Sequence, residues 1–219
     1  MHRVTLFAGH YGSGKTNLAV NWALMLKKTH ERVVIADLDI VNPYFRTKDS
    51  AALLQAAGIE VVSPEFANSS VDLPALPAEL YGVVQQRGRY AVMDIGGDDR
   101  GAVALGRYAP YILEENDFEM IFVANFMRPL TQTPEDALEV MREIETAGGI
   151  PFTAIANNTN HGRLTDINVV KEGAEKAERL SQLCGLPVIF TSAEKGLGGL
   201  YGVKNVFYIE LQKKYYDII

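Results

Sequence analysis

The sequence predicts an α/β fold: a doubly wound, mainly parallel seven-stranded sheet with helices on both faces, built as one domain over residues 1–219. Three observations carry that expectation. Short apolar, β-branched runs alternate with longer stretches of helical period, as in a parallel sheet covered on both faces. A glycine-rich turn follows the first apolar run and opens a helix. Finally, a chain of 219 residues, 47% hydrophobic and 22% charged, is large enough to bury roughly 70% of its unfolded surface with no disulfide or metal staple.

Taken in order, the apolar runs at 3–8, 32–37, 59–63, 90–94, 119–125, 151–156 and 187–191 read as strands. The segments near 14–29, 49–57, 77–87, 100–114, 134–147, 166–184 and 203–215 read as helices. Ala147-Gly148-Gly149 and Cys184-Gly185-Leu186-Pro187 each stop a helix with glycine and lead into a strand. The connection 64–77, with Pro64, Pro74 and Pro77 around Asp72, reads as a surface loop, since neither side of it carries a complete core. In the final segment Val203, Val206, Phe207, Leu211, Tyr215 and Ile218 share one helical face, while Lys204, Lys213 and Lys214 are offset by Glu210 and Asp217. That pattern suits a helix returning to the core better than a basic membrane anchor.

Composition removes several classes of function. Cys184 is the sole cysteine, which excludes an intramolecular disulfide and a zinc ribbon; the residue reads as a small buried hydrophobe. With 21 basic and 27 acidic residues the net charge is −6, a balance that disfavours a broad nucleic-acid or anionic-membrane surface. No run approaches the ~18 apolar residues of a membrane helix, and the N-terminal apolar run is too short for a secretory signal. A cytoplasmic location is therefore expected. His2, His10, His30 and His161 show no metal-ligand spacing.

The chemistry concentrates at strand ends. Gly9-His10-Tyr11-Gly12-Ser13-Gly14-Lys15-Thr16 matches G-x-x-x-x-G-K-[ST] between a strand and a helix. Its glycines let successive amides turn toward a polyphosphate, and the helix that continues through Asn17 adds its positive pole. Lys15 would reach the β- and γ-phosphates and the Thr16 hydroxyl would ligate Mg²⁺. A dinucleotide fingerprint fails, because Asn17 stands where a third small residue is required. Asp37 and Asp39 close the second strand, and Asp94 closes the fourth ahead of Gly97 in a D-x-x-G. These acids suit magnesium support or orientation of an attacking water, and the Gly97 amide suits a γ-phosphate. Asp98 and Asp99 fit helix capping better than metal binding. Asn157 and Asn158 end the sixth strand, and Asn160 stands where a guanine-reading acid would be needed. Adenine is thus the expected base, with Thr191-Ser192-Ala193-Glu194-Lys195 as a candidate second wall.

On these residues the chain resembles the MinD/ParA-type P-loop ATPases, a group that includes nitrogenase iron proteins and CobQ/CobB-like cobyrinate-synthase domains. The likeness covers the phosphate loop at 9–16, Asp37-x-Asp39 as switch I, Asp94-x-x-Gly97 as switch II, and Thr133-Pro134-Glu135-Asp136-Ala137 opening a helix. It implies ATP and Mg²⁺ as cofactors, and Lys15, Asp39 and Asp94 as the catalytic set. Thr16, Asp37, Asp39 and Asp94 would serve the metal, and Asn157 or Asn158 the adenine. It further implies a nucleotide-dependent homodimer and a protein partner controlled by loop switching. The chain departs from the group at His10, where a signature lysine stands in relatives. Arg100, Arg107, Arg128 and Arg163 are the candidates to replace that charge, and Tyr11 and Tyr44-Phe45-Arg46 are candidates for partner contact. Two alternatives stay open: an ATP-dependent small-molecule kinase or ligase of the dethiobiotin- or cobyrinate-synthase type, and a nucleotide-binding module without turnover.

Overall fold

The computed structural model describes residues 1–38, 50–63, 79–97 and 99–211, apart from the side chains of 79, 99 and 100. The elements follow as β1 (Val4–Ala8), α1 (Lys15–Lys27), β2 (Val33–Leu38), α2 (Ala51–Ala56), β3 (Glu60–Val62), α3 (Glu79–Gln85), β4 (Tyr90–Ile95), α4 (Asp99–Gly106), α5 (Ala109–Glu115), β5 (Phe118–Ala124), α6 (Pro134–Gly148), β6 (Ala154–Asn157), α7 (Ile167–Cys184), β7 (Val188–Glu194) and β8 (Val206–Ile209). The strands form one sheet in the order β3-β2-β4-β1-β5-β6-β7-β8, and every neighbouring pair is parallel.

Both faces of the central strands are buried, so these strands read as continuous apolar runs. Phe7, Val33, Ile35, Val92 and Ile121 pack against Leu18, Trp22 and Leu26 of α1 and Leu54 of α2. Leu6, Val34, Met93 and Phe122 pack on the opposite face against side chains of α3 to α7, among them Leu80, Leu105, Ile112, Met141 and Leu180. The chain leaves β1 toward β2 over one face and reaches β5 from β4 over the other. The carboxyl end of β1 is therefore the switch point where an open α/β sheet leaves a crevice.

The sheet has eight strands among the described residues, where the sequence predicts seven. The added strand is β8, in place of a helix over 203–215. Asn205 at φ 50° and Gly202 at φ 87° turn the chain into Val-Phe-Tyr-Ile, which alternates by twos. Phe207 and Ile209 join the α1 side, and Val206 packs toward Val170 and Leu200. Residues 212–219 lie outside the description, with Lys213, Lys214, Tyr215, Asp217 and Ile218 among them. The helix expected over 100–114 is two, because Pro110 cannot donate to the preceding turn; α4 ends at Gly106 and α5 begins at Ala109. The β7 strand runs to Glu194, so Thr191 and Ser192 are buried strand residues and not part of a loop. Cys184 is half-buried, at the last turn of α7 and beside the core rather than in it. Pro64, Asp72, Pro74 and Pro77 lie outside the described residues. No helix among the described residues is long and apolar enough to cross a membrane.

Candidate functional site

The loop after β1 is shaped by three glycines for separate reasons. A Cβ on Gly9 would lie 2.6 Å from the Val123 carbonyl oxygen of β5. Gly12 at φ 74° and Gly14 at φ 91° hold left-handed conformations that L side chains resist. Ser13 N–H donates to the His10 carbonyl at 3.1 Å, closing the turn. Gly14 then caps α1 with no side chain supplying a capping bond, so the amide pole of the helix faces the loop. Lys15 is buried, and its Nζ donates to the His10 carbonyl at 3.2 Å. Asn17 continues the helix, its carbonyl accepting from Asn21 Nδ2 at 2.8 Å. The His10 ring and the exposed Tyr11 ring form the outer lip; His10 Nδ1 lies 3.0 Å from the Tyr11 carbonyl.

On the next two strands, β4 and β2, the acids arrive by register. Asp37 pairs with Asp94 across β2 and β4, and Phe7 pairs with Asp94 across β1 and β4. In-register parallel neighbours share a face, here the face covered by α1. Both carboxylates are buried, and the Thr16 hydroxyl donates to Asp94 Oδ2 at 2.6 Å. Gly97 completes the group. A Cβ there would meet Lys15 Nζ at 2.7 Å and the Tyr11 amide nitrogen at 2.8 Å, so the D-x-x-G segment lies directly against the phosphate loop. Hydroxyl and carboxylate oxygens are the donors a magnesium ion takes, usually few in number with water and substrate oxygens filling the rest; Thr16, Asp94 and Asp37 fit that description. Asp39 lies outside the described residues, as do Tyr44-Phe45-Arg46, Asp98 and the side chains of Asp99 and Arg100.

The carboxamides serve the protein itself. Asn157 is fully buried; its Oδ1 accepts from the Thr159 hydroxyl at 2.6 Å and the Thr159 amide at 3.2 Å. Asn158 Nδ2 donates to the Ser13 carbonyl at 2.6 Å, and its Oδ1 accepts from the Ser192 hydroxyl at 2.5 Å. Its amide also occupies the space a Cβ on Gly14 would need. Asn160 Nδ2 donates to the Asn158 carbonyl at 2.6 Å. Asn158 thus braces the phosphate loop from behind, and a base could engage either Asn157 or Asn158 only by displacing these bonds. Thr133 and Asp136 form a reciprocal cap on α6, as the Thr-Pro-Glu-Asp spacing suggests.

Two residues of the site carry more than their sequence positions suggest. Buried Asn125, just past β5, accepts from the Met127 and Asn160 amides at 3.1 and 3.3 Å. Its carbonyl takes the Arg128 amide at 3.2 Å and the Thr131 hydroxyl at 2.7 Å. This fastened turn delivers Arg128, whose Nε donates to the Gly12 carbonyl at 2.8 Å. The arginine is legible in Asn-Phe-Met-Arg-Pro after an apolar strand, but nothing in that string shows that the turn bends back over β1.

A glycine loop on the central strand, a Lys-Thr pair opening the next helix and in-register acids beside it define the P-loop NTPase fold. No protein-family model matches the chain, and no curated protein matches it in sequence. Solved structures do match. The cell division protein FtsY from Thermotoga maritima aligns with a TM-score of 0.59 at 15% identity, covering 91% of this chain and 64% of that one. The signal recognition particle receptor FtsY from Elizabethkingia anophelis aligns at 0.56 and 18%, covering 94% and 62%. Its complex with GDP aligns at 0.55 and 19%, covering 90% and 58%. The chain spans less than two thirds of these proteins, and at such identity the likeness is one of fold.

Proposed function

We propose that this chain binds a magnesium nucleoside triphosphate and hydrolyses it, and that the nucleotide is ATP. The observation that supports the reading best is the meeting of Thr16 with Asp94, Asp37 in register beside it, at the mouth of the Gly9–Thr16 loop. In this reading the loop amides and Lys15 hold the β- and γ-phosphates, Thr16 with Asp94 and Asp37 serves the metal, and the Gly97 amide meets the γ-phosphate. Asp39 orients the water. The metal supplies charge to the phosphates, and the protein excludes solvent and fixes the line of attack. The Gly97–Tyr11 approach makes the segment after β4 respond to whether the γ-phosphate space is filled. That coupling is the route by which turnover controls a partner protein, as in the MinD/ParA-type reading.

A guanine nucleotide is the second reading, favoured by the GDP complex of one structural neighbour. Against it, Asn160 stands where an acid would accept from the guanine ring, and its amide is committed to Asn158. Competition between ATP and GTP for a fluorescent triphosphate decides the base. Phosphate release from purified protein, without any added acceptor, tests hydrolysis against a kinase or ligase reaction. Lys15→Ala should weaken triphosphate affinity by about 100-fold or more, as expected when a charge-assisted bond to phosphate is removed from a dry loop. Unchanged affinity in that variant would sink the assignment.

A further inference from the structure

We propose that Arg128 supplies, from within the same chain, a second cation to the polyphosphate; the inference rests on the nucleotide reading above. A triphosphate brings about four negative charges into the loop, and hydrolysis adds to the bridging oxygen as water bonds to the γ-phosphorus and the bond to the diphosphate breaks. Lys15 is one cation at the loop. Arg128 is the second that touches it, through Nε on the Gly12 carbonyl at 2.8 Å.

The placement is a built one. An arginine on a helix face spends most of its time in water, whereas Arg128 projects from a turn pinned at both ends by buried groups. Asn125 and Thr131 are each no more than 2% exposed, and the bonds Arg128 N–H to Asn125 and Thr131 N–H to the Arg128 carbonyl fix the backbone between them. Pro129 directly follows and opens a 3₁₀ turn at Pro129–Thr131, which stiffens the arginine's own backbone. Nε is used in gripping the loop. Among the described residues neither Nη is hydrogen-bonded to the protein, so the two-pronged end that suits phosphate oxygens is left for a ligand. The other candidates lack this arrangement: Arg107 lies between α4 and α5, and Arg163 is exposed in the Gly162–Leu164 turn.

The test compares wild type, Arg128→Ala, Arg128→Lys and Lys15→Ala for affinity toward ATP, ADP and a non-hydrolysable ATP analogue, and for magnesium-dependent phosphate release. Arg128→Ala should lower turnover by about 10³-fold, the range of an arginine acting on phosphoryl transfer, while ADP affinity and thermal midpoint stay near wild type. Arg128→Lys should recover little, since an ammonium cannot span two oxygens. Turnover per molecule should not depend on protein concentration, and adding the Lys15→Ala chain should not rescue Arg128→Ala. Three results overturn the proposal. One is turnover within about threefold of wild type. Another is an equal loss of ADP and analogue affinity with a lowered midpoint, which marks a purely structural brace. The third is rescue by the Lys15→Ala chain, which places the arginine across an interface. If wild type binds no nucleotide at all, the functional reading falls and takes this inference with it.

Discussion

The rim above β1, β2 and β4 and the rim above β5, β6 and β7 are neighbours on one sheet, yet they use polar residues in opposite ways. Over the first, glycines keep side chains away from the loop backbone, and Lys15, Thr16, Asp37 and Asp94 gather beside it. Over the second, Asn125, Asn157, Asn158, Thr159 and Ser192 are buried and bonded to one another and to the backbone. Buried amides and hydroxyls are costly unless satisfied. A network of this kind spends most of its hydrogen-bonding capacity on shape, although Asn125 Nδ2 is left without a partner among the described residues, so this half of the rim holds the phosphate loop of the other half still.

The largest effect expected from breaking this division is at the hinge between the halves. Gly14→Ala forces a side chain onto a backbone at φ 91° and into the space of the Asn158 amide. Triphosphate affinity should fall by about 100-fold or more, because strain of a few kcal/mol lands on the amides that would wrap the phosphates. Isothermal titration with the ATP analogue checks this, and affinity near wild type would mean the loop does not bind in the conformation described. Next comes Asp94→Asn, which keeps the size and the partner for Thr16 but removes the charge. The expected outcome is a higher magnesium requirement and turnover lower by about 10- to 100-fold, with binding measured in EDTA little altered.

Asn158→Ala separates the two halves most sharply. The change strands the buried Ser13 carbonyl and leaves the Ser192 hydroxyl only the Asn157 carbonyl at 3.3 Å, at a cost of about 1–3 kcal/mol in unfolding free energy. It should weaken ATP and GTP alike. A base-reading asparagine would instead shift the ratio between the two nucleotides with little change in the thermal midpoint, and that result would restore Asn158 to the base pocket.

Why the first half is legible in sequence and the second is not follows from the same contrast. A phosphate loop is a local object: Gly9 to Thr16 are contiguous, and their spacing carries the geometry. Asp37 and Asp94 are readable because strand ends are, and parallel pairing then sets them side by side. The second half is assembled from three separate segments, and whether Asn158 faces a ligand or Ser13 depends on a bond spanning 145 residues of chain. Carboxamides read the same in either case. The β8 strand is hidden for a related reason. Its four residues are apolar on both faces, so period two leaves no polar alternation, and Leu211 and Tyr215 lend the segment a helical look. Pro110 is the one legible signal for dividing α4 from α5, and the helical period running through 100–114 masks it.

The smallest effect belongs to Ser192, and it is the one that apportions the brace. Ser192→Ala removes the donor to Asn158 Oδ1 but leaves the bond from Asn158 Nδ2 to the loop. The loss in unfolding free energy should be about 1–2 kcal/mol, the cost of one unsatisfied buried acceptor, with nucleotide affinity lower by no more than about threefold. Combined with Asn158→Ala it should add almost nothing, since the acceptor it serves is already gone. The resulting coupling should be about 1–2 kcal/mol by chemical denaturation of the four members of the cycle. Full additivity would mean that Ser192 acts elsewhere, through its approach to the Asn157 carbonyl at 3.3 Å, and that Asn158 holds the loop unaided.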